Sequence, residues 1–125
     1  MTQQEAVAHW LRGAEKALKA AQILQRDGIF EPALFECHLC VEKALKAAYL
    51  HEHDKAPPPT HNLILLAKNL ARSWTEDELE QLRTLSQFVI DARYADPPWA
   101  EEYATEINTA FWIERSAAFL LRLSV

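Results

Sequence analysis

Seven residues of this sequence have types and spacings that could do chemistry together: Glu42, Lys43, Lys46, His61, Arg93, Tyr94 and Asp96. Glu42, Lys43 and Lys46 lie in a segment with helical periodicity. At about 100° per residue they fall, with Glu36, within one third of its circumference. His61 follows the run Pro57-Pro58-Pro59, and Arg93-Tyr94-Ala95-Asp96 stands just before Pro97-Pro98. Lysine, arginine and histidine would supply charge and donors to a phosphate, and a tyrosine ring would offer a face to a base. The set therefore fits a nucleotide. Each member also has a structural alternative. Glu42 and Lys46, one turn apart, would form a surface pair worth ~0.3–0.5 kcal/mol. Arg93 would cap helix-end carbonyls.

Other candidate sets read as structural. Cys37-x-x-Cys40 sits inside the same helical segment, whereas a redox pair wants its first cysteine at a helix N-terminus, where the dipole lowers the thiol pKa. Both cysteines read as small buried apolar side chains. His51 and His53 fall on opposite sides of a continuing helix. A metal set of His51, His53 and His61 would need the following loop to fold back, so no metal site is expected. His38 reads as a core histidine bonded to a neighbouring group. No serine occupies a nucleophile elbow, and two isolated glycines make no phosphate loop, so no catalytic residue and no cofactor are expected. Glu101-Glu102 open a helix, where acids complement the dipole.

The apolar periodicity supplies the elements that must hold these residues. A first helix is expected from Gln3 to about Arg26, with Val7, Leu11, Ala14, Leu18 and Ala21 inward and Gly28 as its left-handed cap. The central helix begins at Pro32, suited to a first turn, and runs out near His53. Leu34, Cys37, Val41, Ala44, Leu45 and Ala48 line it, and only the Glu36–Glu42–Lys43–Lys46 strip is wet. A stiff loop over 54–61 follows. A short helix spans Asn62 to about Arg72. Thr75 and Glu78 make a capping box for the next, whose buried stripe is Leu79, Leu82, Leu85, Val89 and Ile90. A last helix begins near Trp99. Tyr103, Ile107, Ala110, Phe111, Ala118 and Leu121 form one apolar line, and Trp112 and Phe119 a second. One line would be covered by a partner chain, or both would join a fuller core. The fold class is all-α: an antiparallel up-down bundle of four long helices plus a short additional one, in one domain over residues 1–125.

The totals set bounds. The chain has 125 residues and half are apolar, enough for one core. Its net charge of −5 makes it a poor general nucleic-acid binder. No apolar run reaches the ~20 residues of a membrane span, no signal-peptide pattern opens the chain, and two cysteines inside a helix fit a reducing cytoplasm.

Three segments carry a resemblance. They are Ala-Leu-Phe-Glu-Cys-His-Leu-Cys-Val-Glu42-Lys43-Ala-Leu-Lys46-Ala-Ala, Thr60-His61-Asn62-Leu63, and Arg93-Tyr94-Ala95-Asp96. In order and spacing they resemble the HEPN family (higher eukaryotes and prokaryotes nucleotide-binding domain). Its pattern is Phe-x-x-x-Gln-Ala-x-Glu-Lys-Ala-x-Lys, then Thr-His-Asp/Asn-Leu, then Arg-Tyr-Pro-Asp. Ala95 departs from the usual proline. The resemblance implies a four- to five-helix bundle, usually a homodimer, paired with a minimal nucleotidyltransferase in toxin–antitoxin or stress-response systems. It carries Glu42, Lys43, Lys46, His61, Arg93, Tyr94 and Asp96 over as ligand-binding residues for an ATP-like nucleotide, or as a polar network pinning helix ends. A second branch of the family are metal-independent ribonucleases, marked by an arginine followed after four to six residues by a histidine. No arginine here is followed so. RNA cleavage is therefore disfavoured, with His61 approaching Arg93 in space as its one compatible arrangement. A pure dimerisation domain is the further alternative.

Overall fold

Caps written into the sequence divide the chain into helices. The computed structural model describes residues 1–94 and 96–124, and the regular structure among them is helical: α1 (Gln3–Arg26), α2 (Phe30–His53), α3 (Leu63–Lys68), α4 (Glu76–Asp91), α5 (Pro97–Tyr103) and α6 (Glu106–Leu123). Thr2 opens α1 by accepting from the Glu5 amide. At its other end Gly28 takes φ +76°, the left-handed conformation glycine adopts without a steric penalty. The Gly28 amide then bonds to Gln25 O at 3.0 Å and the Ile29 amide to Leu24 O at 2.8 Å, so two orphan carbonyls are satisfied. Three residues turn the chain back, and α1 and α2 pack antiparallel along their length. Ala14, Ala17 and Ala21 of α1 are buried in this seam, where small side chains let the backbones approach.

α2 is the centre of the bundle. It packs against α1, α3, α4 and α6, and Leu34, Cys37, Val41, Ala44, Leu45 and Ala48 are all fully buried. The helix begins at Phe30, two residues before Pro32, which still lies in the first turn. The expected wet strip is only partly wet. Glu42 and Lys46 are buried, because the segment before α3 folds over that face and brings His61 onto Glu42, while Trp10 of α1 covers Lys46.

Thr75 and Glu78 form the expected reciprocal capping box at the start of α4. The buried stripe of α4 is Leu82, Leu85 and Phe88; Ile90 is 58% exposed. A helical period from Leu82 and Leu85 leads to Phe88 and Ala92, which turns Ile90 outward. Phe88 meets Trp112 edge to face at 5.5 Å, a geometry worth ~0.5–1.5 kcal/mol beyond its area.

The single last helix expected from Trp99 onward is instead two, and α3 is shorter than expected. Asp96 caps α5, accepting from the Trp99 amide, with prolines filling its first positions. Ala104 leaves helical geometry at φ −86°, ψ 60°, and Thr105 caps α6 by accepting from the Asn108 amide. The Asn108 side chain donates back to Tyr103 O at 2.8 Å, which fixes the corner. Of the two apolar lines, Trp112 and Phe119 are core. Ile107, Phe111 and Leu121 form the exposed one. Among the described residues no helix is long and apolar enough to cross a membrane. Ala95, where the family usually has proline, lies outside the described residues.

Candidate functional site

The site grows from one buried carboxylate. Glu42 stands in mid-α2, 5% exposed, with three donors around it. His38, one turn earlier, places Nε2 3.0 Å from Oε1; His61 places Nδ1 2.7 Å from the same oxygen; Lys46, one turn later, donates to Oε2 at 3.1 Å. Burial pushes the Glu42 carboxyl up, but the hydrogen bonds from His38, His61 and Lys46, with the Lys46 charge, outweigh it and hold the group at about 2. The carboxylate is thus ionised at neutral pH. It is not the exposed pair of the sequence-based alternative but the hub of a desolvated network.

Hydrogen-bond accounting fixes the His38 ring. Its Nδ1 lies 2.9 Å from Leu85 O, a carbonyl that only accepts, so Nδ1 carries a proton and donates to α4. Nε2 faces the Glu42 carboxylate at 3.0 Å. His38 therefore bridges α2 to α4 through both ring nitrogens. It is the core histidine expected from sequence, bonded to neighbouring groups, and its position one helical turn before Glu42 is the signal that marks the pair.

Local caps hold His61 in place. Thr60 Oγ1 accepts from the Asn62 amide at 3.1 Å, Asn62 caps α3 by accepting from the Leu65 amide, and the Leu63 amide donates to Ser86 Oγ of α4 at 3.0 Å. With Nδ1 on Glu42, the opposite edge of the ring is free to meet solvent, and the side chain is 66% exposed.

That exposed ring opens a groove of about 820 Å³ between the 60–64 segment and α4, also lined by Asn62, Arg83, Ser86, Gln87, Arg93 and Tyr94. Arg83, Gln87, Ile90 and Tyr94 recur at helical spacing, the signal by which Arg83 and Gln87 could have been added to the candidates. Arg83 pairs with Glu80, and the Arg93 guanidinium lies 5.1 Å over the Phe35 ring. No acid is among the described residues lining the groove, in a chain whose net charge is −5.

The seven sequence candidates therefore separate. His61, Arg93 and Tyr94 share the groove; Glu42 stands behind His61; Lys46 turns to the Trp10 ring of α1, 5.5 Å from its centroid. Lys43 lies against Gly13 of α1, at a spot where a Cβ would stand 3.0 Å from its Cδ. Its charge acts on Glu36, whose carboxyl burial raises and Lys43 lowers, with a net upward shift. Asp96 is the cap of α5. Cys37 and Cys40 are buried free thiols, each pushed up to about 12 by burial. His51 does not join His61, and His53 donates to Asn69 O at 2.7 Å.

The chain is thus an all-helical bundle centred on one buried helix, with a groove lined by Arg83, Arg93 and His61 beside it. The HEPN domain profile matches residues 7–120, and the chain belongs to that family. Two solved structures share the fold. TT1696 from Thermus thermophilus superposes with a TM-score of 0.81 at 21% identity over 94% of each chain. ST0689, an archaeal HEPN homologue, gives 0.74 at 24% identity over 94% of this chain and 93% of the other. No curated protein matches the chain.

Proposed function

We propose that this HEPN protein is a non-enzymatic nucleotide-binding module that works as the partner subunit of a minimal nucleotidyltransferase, in a toxin–antitoxin or stress-response pair. The observation that carries the reading is the gathering of basic side chains along the groove. In an acidic chain, Arg83, Arg93 and His61 converge on one concavity with no acid among its described lining. Tyr94, 73% exposed, offers a ring for a base, and Asn62, Ser86 and Gln87 offer polar groups for orientation. Lys43, Lys46 and Asp96 have structural employment and drop out of the ligand set. The free buried thiols fit a cytoplasmic setting. The exposed line Ile107–Phe111–Leu121 on α6 supplies an apolar face for a second copy, so a homodimer in sedimentation is expected, and one weakened by Phe111→Asp.

The test is an NMR titration with ATP, ADP and a short RNA. ATP should shift the signals of His61, Gln87, Arg93 and Tyr94 and not those of Lys43. Arg93→Ala should weaken ATP binding about tenfold or more, as expected when a charge-assisted contact is lost. No shift at the groove with either nucleotide would sink the reading.

The ribonuclease reading retains one specific support. His61 and Arg93 line the same groove, and the 2.7 Å contact to Glu42 orients the His61 ring as a carboxylate orients a general base. Loss of the RNA in the same titration, abolished by His61→Ala, would favour it. So would growth arrest on expression without a partner.

A further inference from the structure

We propose that His38, Glu42 and His61 form a binding site for one divalent transition-metal ion, with Zn²⁺ the best match. The three side chains come from two turns of α2 and from the segment before α3, and one ligand atom from each lies within 4.8 Å of the others. Two imidazoles and one carboxylate are a donor set that zinc accepts with a fourth position left open. Magnesium and calcium prefer oxygen donors throughout.

The His38 ring is oriented as a zinc ligand is. Its Nδ1–H is committed to Leu85 O at 2.9 Å, the second-shell bond to a backbone carbonyl that sets tautomer and ring angle and leaves Nε2 for the metal. That Nε2 stands 3.0 Å from Glu42 Oε1, so an unprotonated Nε2 and the carboxylate oxygen would be two acceptors face to face. Such a pair demands a cation between them. A proton meets the demand; a metal ion would meet it as well, taking the place of any proton held there. In a tetrahedral zinc site with bonds of about 2.0–2.1 Å, ligand atoms stand about 3.3 Å apart. The present contacts of 3.0 and 2.7 Å to Oε1 would therefore open by about 0.3 and about 0.6 Å. Lys46 opposes a second cation by its charge, yet it engages the other carboxylate oxygen, Oε2, and so leaves Oε1 to the ion. The exposed His61 ring gives the ion its way in from solvent, and its swing would complete or open the site.

The test uses the full chain stripped by a chelator and then dialysed. Titration calorimetry with ZnCl₂ should show one ion per chain, and Co²⁺ should develop the visible absorption of a tetrahedral site. His61→Ala removes an exposed ligand without touching the core, and should lower the Zn²⁺ affinity by more than about 100-fold, beyond what a lost second-shell partner costs. His51→Ala/His53→Ala should leave the affinity unchanged. In ¹⁵N spectra of the histidine rings, Zn²⁺ should move His38 Nε2 to a metal-bound signal while the Nδ1–H bond to Leu85 persists. The proposal is overturned by the absence of stoichiometric uptake in the intact chain. It is equally overturned if uptake survives His61→Ala, or disappears instead with His51 and His53.

Discussion

Glu42→Gln is the substitution that interrogates the centre of the molecule. The side chain keeps its size and one acceptor, so no cavity forms. What is lost is the negative charge that the desolvated Lys46 ammonium and the buried His38 ring both face. Lys46 has 9% of its side-chain surface exposed and His38 none, while His61 is largely in water and contributes little. Removing one partner of such a buried set costs about 3–5 kcal/mol, and relaxation of Lys46 along the Trp10 ring places the expected loss near the lower end, about 3 kcal/mol. Proton linkage gives a figure of the same size. The folded carboxyl lies at about 2 against an ordinary 4.5, and a gap of about 2.5 units corresponds to ~3 kcal/mol. The sign follows from the direction of the shift. A depressed folded value means that the stabilisation is complete above 4.5 and is lost as pH falls towards 2.

The assay is thermal and urea unfolding in chelator-containing buffer, from neutral pH downward. For 125 residues, an unfolding entropy of ~2.1 cal/mol/K per residue makes 1 kcal/mol equal to about 4 °C, so Glu42→Gln should lower Tm by about 12 °C. Its stability should also fall less steeply with acid than that of the unaltered chain. Adding Lys46→Met should restore part of the loss, with a coupling of about 1 kcal/mol or more, because the second change removes a charge already stranded. A loss under about 1 kcal/mol, strict additivity, or an unchanged acid limb would refute the view of Glu42 as a desolvated hub.

Three further outcomes follow from single features. Cys37 and Cys40, both held near 12 by burial, should react with a thiol reagent at mildly alkaline pH only at the rate of global opening, and fast labelling of the native protein would contradict their burial. Gly13→Ala should raise stability by about 0.5–1 kcal/mol, since the only crowded atoms belong to the flexible Lys43 side chain; a lower Tm would mean that Lys43 cannot yield. Thr105→Ala should cost about 1 kcal/mol and speed hydrogen exchange at the Asn108 amide, whereas unchanged protection there would show that the cap is not what divides α5 from α6.

The parts of the fold that are legible in the sequence are those governed by local chemistry. The start and end of α1, the left-handed turn at Gly28 and the capping box of α4 each depend on residues within one turn of one another, and each stands where the spacing puts it. The break at Ala104 escapes a reading of periodicity because the apolar pattern runs on through it. Its signal lies in Thr105 and Asn108, a cap inside a segment that hydrophobicity alone reads as continuous. On α4, Val89 and Ile90 look as apolar as Phe88, but the helical period from Leu82 and Leu85 puts Phe88 inward, where it packs against Trp99 and Trp112. The burial of Glu42 and Lys46 is invisible for a related reason. Helical angle puts them on a polar strip, and what covers that strip comes from Trp10, on the preceding helix, and from His61, 19 residues after Glu42. Pairings across such separations belong to topology, which periodicity does not encode.

The same topology decides which variants can separate a structural role from a binding one. His61 has one ring edge on Glu42 and the other free at the groove, so a change at Glu42 alters the fold and the presentation of His61 at once. Loss of ligand binding in a Glu42 variant would therefore say little about contact with the ligand. Arg93 and Tyr94 are differently placed. They lie beyond the C-terminal end of α4, and Tyr94 is mostly exposed. Their removal leaves the His38–Glu42–Lys46 network intact. A groove that binds nucleotide should lose affinity in Arg93→Ala at nearly unchanged Tm, and should lose both affinity and stability in Glu42→Gln. If Arg93→Ala binds normally while Glu42→Gln does not, the buried polar network of α2 acts on the ligand only by holding the loop that carries His61, and the contact surface must be sought elsewhere on the bundle.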